Sequence, residues 1–183
     1  VTGPYPRIHI LGASGAGTTT LGVALAERIG APHFDTDDIF WEPTDPPYQR
    51  PRPIESRRSL LLEAIGGRDR WVLSGSLCGW GDVAVPFFDL AVFLWVPTDI
   101  RLARLRAREI EKFGTEALAP GGRMHENHKA FMAWAAAYDA GGMDMRSRVR
   151  HEAWLADLPC PVVRYEGEKT RIEVLQDLAG RLG

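Results

Sequence analysis

The 183-residue sequence predicts an α/β fold of three layers, a five-stranded parallel sheet between two layers of helices. Three observations predict it. Short apolar runs alternate with stretches of helical period along the whole chain, the pattern of repeated strand–helix crossovers. One run, residues 90–96 (LAVFLWV), is apolar throughout, as a central parallel strand covered on both faces must be. No internal repeat, low-complexity tract or linker breaks the series, so residues 1–183 read as a single domain, within the usual span of about 100–200 residues.

Each element follows from local pattern. Residues 7–11 (RIHIL) form a short β-branched run ending at Gly12, a buried strand. The glycine-rich stretch GASGAGTTT comes next. A helix starts near Thr18, repeats its apolar residues through residues 21–29 and stops at Gly30. Residues 33–35 form a second strand running into FDTDDIFW. Five prolines between Pro43 and Pro53 impose a stiff, extended loop. Residues 54–65 are helical and close at Gly66-Gly67, and a third strand spans 71–74 before Gly75. Past the central strand lie a basic helix over 99–113, a Gly/Pro break at 120–122, and helices over 125–138 and 146–158. A fifth strand at 161–165 and a helix over 170–182 close the chain. Phe131, Trp134 and Tyr138 have core spacing on their helix.

Composition narrows the function. With 22 Lys+Arg against 24 Asp+Glu the net charge is −2, which argues against broad binding to a nucleic-acid backbone. No apolar run reaches the ~20 residues of a membrane span, so no membrane partner is expected. Two cysteines, Cys78 and Cys160, are too few for a disulfide framework and fit a reduced, cytoplasmic setting. Only three basic residues are lysine (Lys112, Lys129, Lys169), so cationic chemistry here falls to arginine. The sequence sets no oligomeric state.

Ligands of parallel sheets bind beyond the carboxyl ends of the strands. There the stretch 12–19 (GASGAGTT) fits G-x-x-x-x-G-K-S/T at every defined position but one, Thr18 standing where lysine belongs. Its glycines let successive N–H groups converge on a phosphate, and the helix N-terminus behind adds its positive end. Gly12, Ala13, Ser14, Gly15, Ala16, Gly17, Thr18, Thr19 and Thr20 are the candidate phosphate-binding residues. A ligand-free glycine-rich turn is the alternative.

The loop, its place between strand and helix, and the element order resemble the nucleoside monophosphate kinases and the shikimate and gluconate kinases. The resemblance implies a nucleotide-kinase-like fold with a helical lid, at about 104–145, and an acceptor-binding flap, at about 38–66. It implies that the loop holds ATP with Mg²⁺ and that a small-molecule acceptor receives the γ-phosphoryl group. Thr19 would then ligate magnesium. The departure at Thr18 removes an ammonium from the β- and γ-phosphates, a hydrogen bond to charge worth about 1.5–3 kcal/mol. A nucleotide-binding regulator with little kinase activity is therefore the second reading. A partner-coupled ATPase has no support, because no apolar run ends in a carboxylate pair.

Asp35 and Asp37, two apart, share a face if the segment is extended. By likeness to the Asp-x-Asp of shikimate and gluconate kinases, Asp35 is the metal-side residue and Asp37 the base or acceptor ligand; Asp38 caps the following turn, and helix-capping acids are the plainer alternative. Arg57 and Arg58 lie on the flap helix, and Gly75, Ser76 and Trp80 follow the third strand, where an acceptor would approach. Arg104 and Arg108 resemble the R-[I/L]-x-x-R opening of the kinase lid and sit one turn apart on one side of a helix. They are the foremost candidates to replace the lysine, while Arg101 and Arg106 project from other sides. Arg123, His125 and the Arg146/Arg148/Arg150 cluster are lesser candidates for a phosphate or acceptor contact.

Overall fold

Alternation along the strands decides how the layers assemble. The computed structural model describes residues 5–167 and 169–182. Strands β1 (Arg7–Gly12), β2 (His33–Asp35), β3 (Trp71–Ser74), β4 (Leu90–Trp95) and β5 (Val162–Glu166) form one sheet of order β2-β3-β1-β4-β5, and every pairing is parallel. Ile8, Ile10, Val72, Leu90, Val92 and Leu94 point to one face, where α1 (Thr18–Ile29) and α8 (Arg171–Leu182) cover them. Leu11, Trp71, Leu73, Ala91 and Phe93 point to the other, under α3 (Ile54–Ile65) and α7 (Arg148–Ala156). The three-layer α/β/α architecture with five parallel strands is thus the one the sequence predicts.

Register brings the site loops together. Asp35 pairs with Ser74, Ser74 with Ile10, and Gly12 with Leu94, so the loops after β1, β2, β3 and β4 leave one edge of the sheet. At the opposite edge Arg7 grips Asp89 with two side-chain bonds of 2.9 and 2.8 Å, fixing the start of β1 against β4. Beyond β4, α4 (Thr98–Phe113), α5 (Thr115–Leu118) and α6 (His125–Ala136) form a helical extension. No described helix is long and apolar enough to cross a membrane.

Three local expectations are corrected. The acidic segment does not continue as a strand: Asp35 caps a short helix, α2 (Thr36–Phe40), its Oδ1 accepting from the Asp37 amide at 2.9 Å. Asp35, not Asp38, is the cap, because only its side chain reaches the unpaired amides of the first turn. The seventh helix begins at Arg148 because Ser147 caps it, which leaves Arg146 in the preceding loop. And of the three aromatics expected to pack from this helix only Tyr138, two residues beyond the end of α6, is core; Trp134 is 36% exposed.

Two histidines lie wholly inside. His9 Nδ1 is 3.2 Å from the Leu73 carbonyl and its ring stacks on Phe88, while His151 bridges Tyr138 Oη at 2.8 Å and Ser76 Oγ at 2.9 Å. Burial pushes both down to about 3. The unfolded chain takes up a proton at each near pH 6.5 while the folded chain does not, so their contribution is complete above that pH and erodes below it. The expected loss is about 1.4 kcal/mol per pH unit per histidine. Denaturant titrations from pH 7 to pH 4 should show it, with the two rings showing no NMR titration until close to pH 3.

Candidate functional site

The turn after β1 presents backbone donors to open space. Gly15 and Gly17 take φ of 82° and 94°, a left-handed conformation that glycine adopts without strain. Ala16 closes the turn on the Ala13 carbonyl at 3.0 Å. Among the described residues, the amides of Gly15, Gly17, Thr18 and Thr19 have no protein acceptor. The cap of α1, Gly17, offers no side chain, and the first turn of α1 carries no acid. Four neighbouring donors and the positive end of a helix therefore lie together, an arrangement suited to an anion.

The acidic segment meets this turn directly. The Thr19 hydroxyl donates to Asp35 Oδ2 at 2.6 Å, and the cap bond of Asp35 then sets Asp37 one residue on. Asp37 is half-buried, and desolvation raises its pKa above the usual carboxylate value. Asp35 and Asp38 push the same way, and Arg146 and Arg108 oppose them. Asp35 and Asp37 are adjacent through a helix cap rather than through a shared strand face, which corrects the geometry expected from their spacing.

Arg146 is the strongest opposing charge, and sequence placed it low. The only signal was its membership of an Arg-x-Arg-x-Arg cluster. Its guanidinium lies 5.5 Å from the Trp134 ring, and among the described residues neither Arg146 nor Arg150 has an ion-pair partner. Arg148 differs, pairing with Glu152 and Glu166. Tyr48 was also missed: it sits at φ 65° in the proline loop, and burial with the Asp37 charge raises its phenol.

Other predicted residues are engaged elsewhere. Arg57 donates to the Arg52 carbonyl at 2.6 Å and stacks 4.1 Å from the Phe40 ring. Arg58 donates to the Trp80 carbonyl at 3.1 Å and pairs with Glu55. Both brace the segments packed around α3 rather than open onto the acidic pair, because a guanidinium near unpaired carbonyls satisfies them first. Trp80 is 4% exposed, its indole N–H given to the Ser76 carbonyl, so it is core and not a wall for an acceptor. Ser76 is buried against His151. Gly75 is covered: a Cβ there would lie 1.8 Å from Thr36 Oγ1.

Arg104 and Arg108, one turn apart on α4, serve opposite ends. Arg104 reaches the Gly15 carbonyl at 3.5 Å and lines a cavity of about 280 Å³ between Gly17, Thr20, Trp95 and Tyr165. The Arg108 charge opposes the rise in pKa at both Asp37 and Tyr48. His125 Nδ1 donates to the Leu118 carbonyl at 2.9 Å and stands outside this group.

No protein-family model matches the chain. A Bacillus subtilis (strain 168) protein, "Uncharacterized protein YqaC", is 50% identical over 162 residues, 88% of this chain and 89% of that one. The chain belongs to the YqaC family. More distantly, the cytidylate kinase of Haloarcula marismortui is 28% identical over 117 residues, 58% of this chain and 60% of the kinase. A shikimate kinase from Acinetobacter baumannii, solved in complex with shikimate, superposes with a TM-score of 0.53 at 17% identity, covering 95% of this chain and 90% of that one. A gluconokinase from Sinorhizobium meliloti 1021 gives 0.52 at 18% identity over 100% and 93%. The YqaC-family chain thus has the phosphate-loop nucleotide-kinase fold.

The cover of Thr36 over Gly75 is testable. Gly75→Ala carries both a steric clash and the strain of φ 111° and should cost about 1–3 kcal/mol by chemical denaturation. Adding Thr36→Ala should return only the steric part that Oγ1 and Cγ2 cause, because Thr36 Cβ still lies 2.9 Å away and the backbone strain remains.

Proposed function

We propose that this protein is an ATP- and Mg²⁺-dependent phosphotransferase that moves the γ-phosphoryl group to a hydroxyl of a small anionic metabolite. The observation that carries this reading is the 2.6 Å bond from Thr19 to Asp35, which joins a ring of unpartnered amides to an acid pair. Phosphoryl transfer needs little beyond positioning and charge, and this arrangement supplies both. The amides of residues 15–19 cradle the β- and γ-phosphates, and the cavity beside Arg104 takes the nucleoside.

Asp37 accepts the proton of the acceptor hydroxyl as its oxygen bonds to the γ-phosphorus and the bond to the β-phosphate oxygen breaks. Its raised pKa makes it a stronger base than an ordinary carboxylate. The unpaired guanidinium groups of Arg146 and Arg150 suit a carboxylate or phosphate on the acceptor, and Arg108 adds charge beside the transferred group. Residues 38–66 act as the acceptor flap and 104–145 as the lid.

Magnesium fits the donors present. Among the described residues no group of three or more His, Cys, Asp and Glu stands ready for a metal. A hydroxyl and one carboxylate with waters and phosphate oxygens are what Mg²⁺ ordinarily takes, and Thr19 and Asp35 are that pair. When bound, the ion neutralises phosphate charge. Cys78 and Cys160 are both free thiols, in keeping with a reduced, cytoplasmic setting.

The test is a screen of small carboxylate and phosphate acceptors with radiolabelled ATP and Mg²⁺. Transfer to one class of acceptor is the expected result. Tight ATP binding with no transfer to any acceptor would favour the regulatory reading that Thr18 motivates, and no nucleotide binding would end both. With the acceptor in hand, Asp37→Asn should lower kcat about 10²–10⁴-fold with ATP affinity unchanged. Transfer by the native protein should rise with pH through the pKa of Asp37, so its acid limb lies above the ordinary carboxylate range. Arg146→Ala removes the largest opposing charge and should move that limb to still higher pH.

A further inference from the structure

Arg101 is wholly buried beneath the phosphate loop. Its Nε donates to the Val96 carbonyl at 3.0 Å, Nη1 to the Ser14 carbonyl at 3.4 Å and the Ala135 carbonyl at 3.2 Å, and Nη2 to Thr98 Oγ1 at 2.8 Å and Asp139 Oδ2 at 3.1 Å. Tyr138 lies 5.1 Å from the guanidinium carbon. Asp139 is itself fixed by the Trp95 indole at 2.7 Å. One side chain thus ties the loop to the end of β4, the first turn of α4 and the end of α6.

Its contact with Ser14 has a directional consequence. The carbonyl and the following N–H of a trans peptide point in opposite directions. With the Ser14 carbonyl drawn down to Arg101, the Gly15 amide is turned up, away from the protein. The loop also sits on the backbone of the same residue, since a Cβ on Gly15 would lie 2.7 Å from the Arg101 carbonyl oxygen. Arg101 has no exposed surface and an acid partner of its own, so it cannot touch a phosphate.

We propose that Arg101 is a positioning residue that aims the Ser14–Gly15 peptide of the phosphate loop, so that a loop without lysine binds polyphosphate through fixed backbone amides. This rests on the loop being a polyphosphate site. In a loop with an ammonium, a misdirected amide loses one contact among several; here the amides are the principal donors.

The test uses inorganic tripolyphosphate with Mg²⁺ as the probe, measured by calorimetry, because it reports the loop without the nucleoside cavity. Arg101→Lys keeps a charge but cannot span both Ser14 and Asp139, and should weaken binding about 10-fold, the equivalent of one charge-assisted contact. The Gly15 amide resonance should shift with it. His9→Ala, which destabilises the sheet from a site not in contact with the loop, should lower Tm while leaving both readouts where they were. Unchanged affinity and an unshifted Gly15 amide in folded Arg101→Lys overturn the proposal, as does an equal loss in His9→Ala. Should Arg101→Lys not fold, Thr98→Val and Asp139→Asn each release one end of the guanidinium; weakening of about 2- to 5-fold supports the assignment and unchanged affinity in both overturns it. A native protein that fails to bind tripolyphosphate removes the phosphotransferase reading as well, whereas native binding with an indifferent Arg101→Lys removes this inference alone.

Discussion

A run of backbone N–H groups at the β1–α1 junction has no partner among the described residues, and the rest of the site is arranged around that deficit. Unpaired donors held together cost free energy unless something fills the space they face. The surrounding sequence avoids filling it. The first turn of α1 carries no acid, Gly17 caps without a side chain, and only Ala16 turns its amide inward. The glycines allow the backbone to turn this way, while packing against Arg101 and Leu105 of α4 keeps it there. Order in the loop thus comes from underneath and leaves its upper surface for a ligand.

Charge is laid out along the cleft in the same spirit. Thr19 and Asp35 meet at the loop, Asp37 lies one step further, and the charges of Arg108 on α4 and Arg146 in the loop before α7 act on Asp37. Burial lifts the Asp37 pKa and the two arginines restrain the rise, so its proton affinity is set by elements far apart in sequence. The preference for arginine bears directly on this design. A guanidinium can satisfy five acceptors at once and remain buried, as Arg101 does, where an ammonium has three donors and a stronger demand for water. It also stacks, as Arg57 does on Phe40 and Arg146 on Trp134.

The YqaC family shares half its residues between this chain and the Bacillus protein, while the kinases of known structure agree with it in fold at under a fifth of their residues. The shared architecture explains why a phosphate loop, an acid pair and a helical extension occur in the same order. On the proposed function, the acceptor falls to side chains such as Arg146, Arg150 and Tyr48, which belong to loops and helix ends where folds of this class vary most.

Local chemistry determined much of this on its own. The apolar run of β4, the alternation in β1 and β3, the stop at Gly30 and the glycine spacing of residues 12–17 each depend on near neighbours, so the sheet, its helices and the phosphate loop follow from the sequence. Side-chain partnership at long range did not. Arg57, Arg58, Ser76 and Trp80 have the types and positions of acceptor-site residues, yet carbonyls and a histidine from other segments claim them. Arg101 shows the reverse, a member of a basic helix that sequence ranks below Arg104 and Arg108 and that burial singles out. A hydrogen-bonding group goes to whichever acceptor the folded chain brings nearest in the driest place, and that is decided only when α4, α6 and the loop after β1 close around the same point.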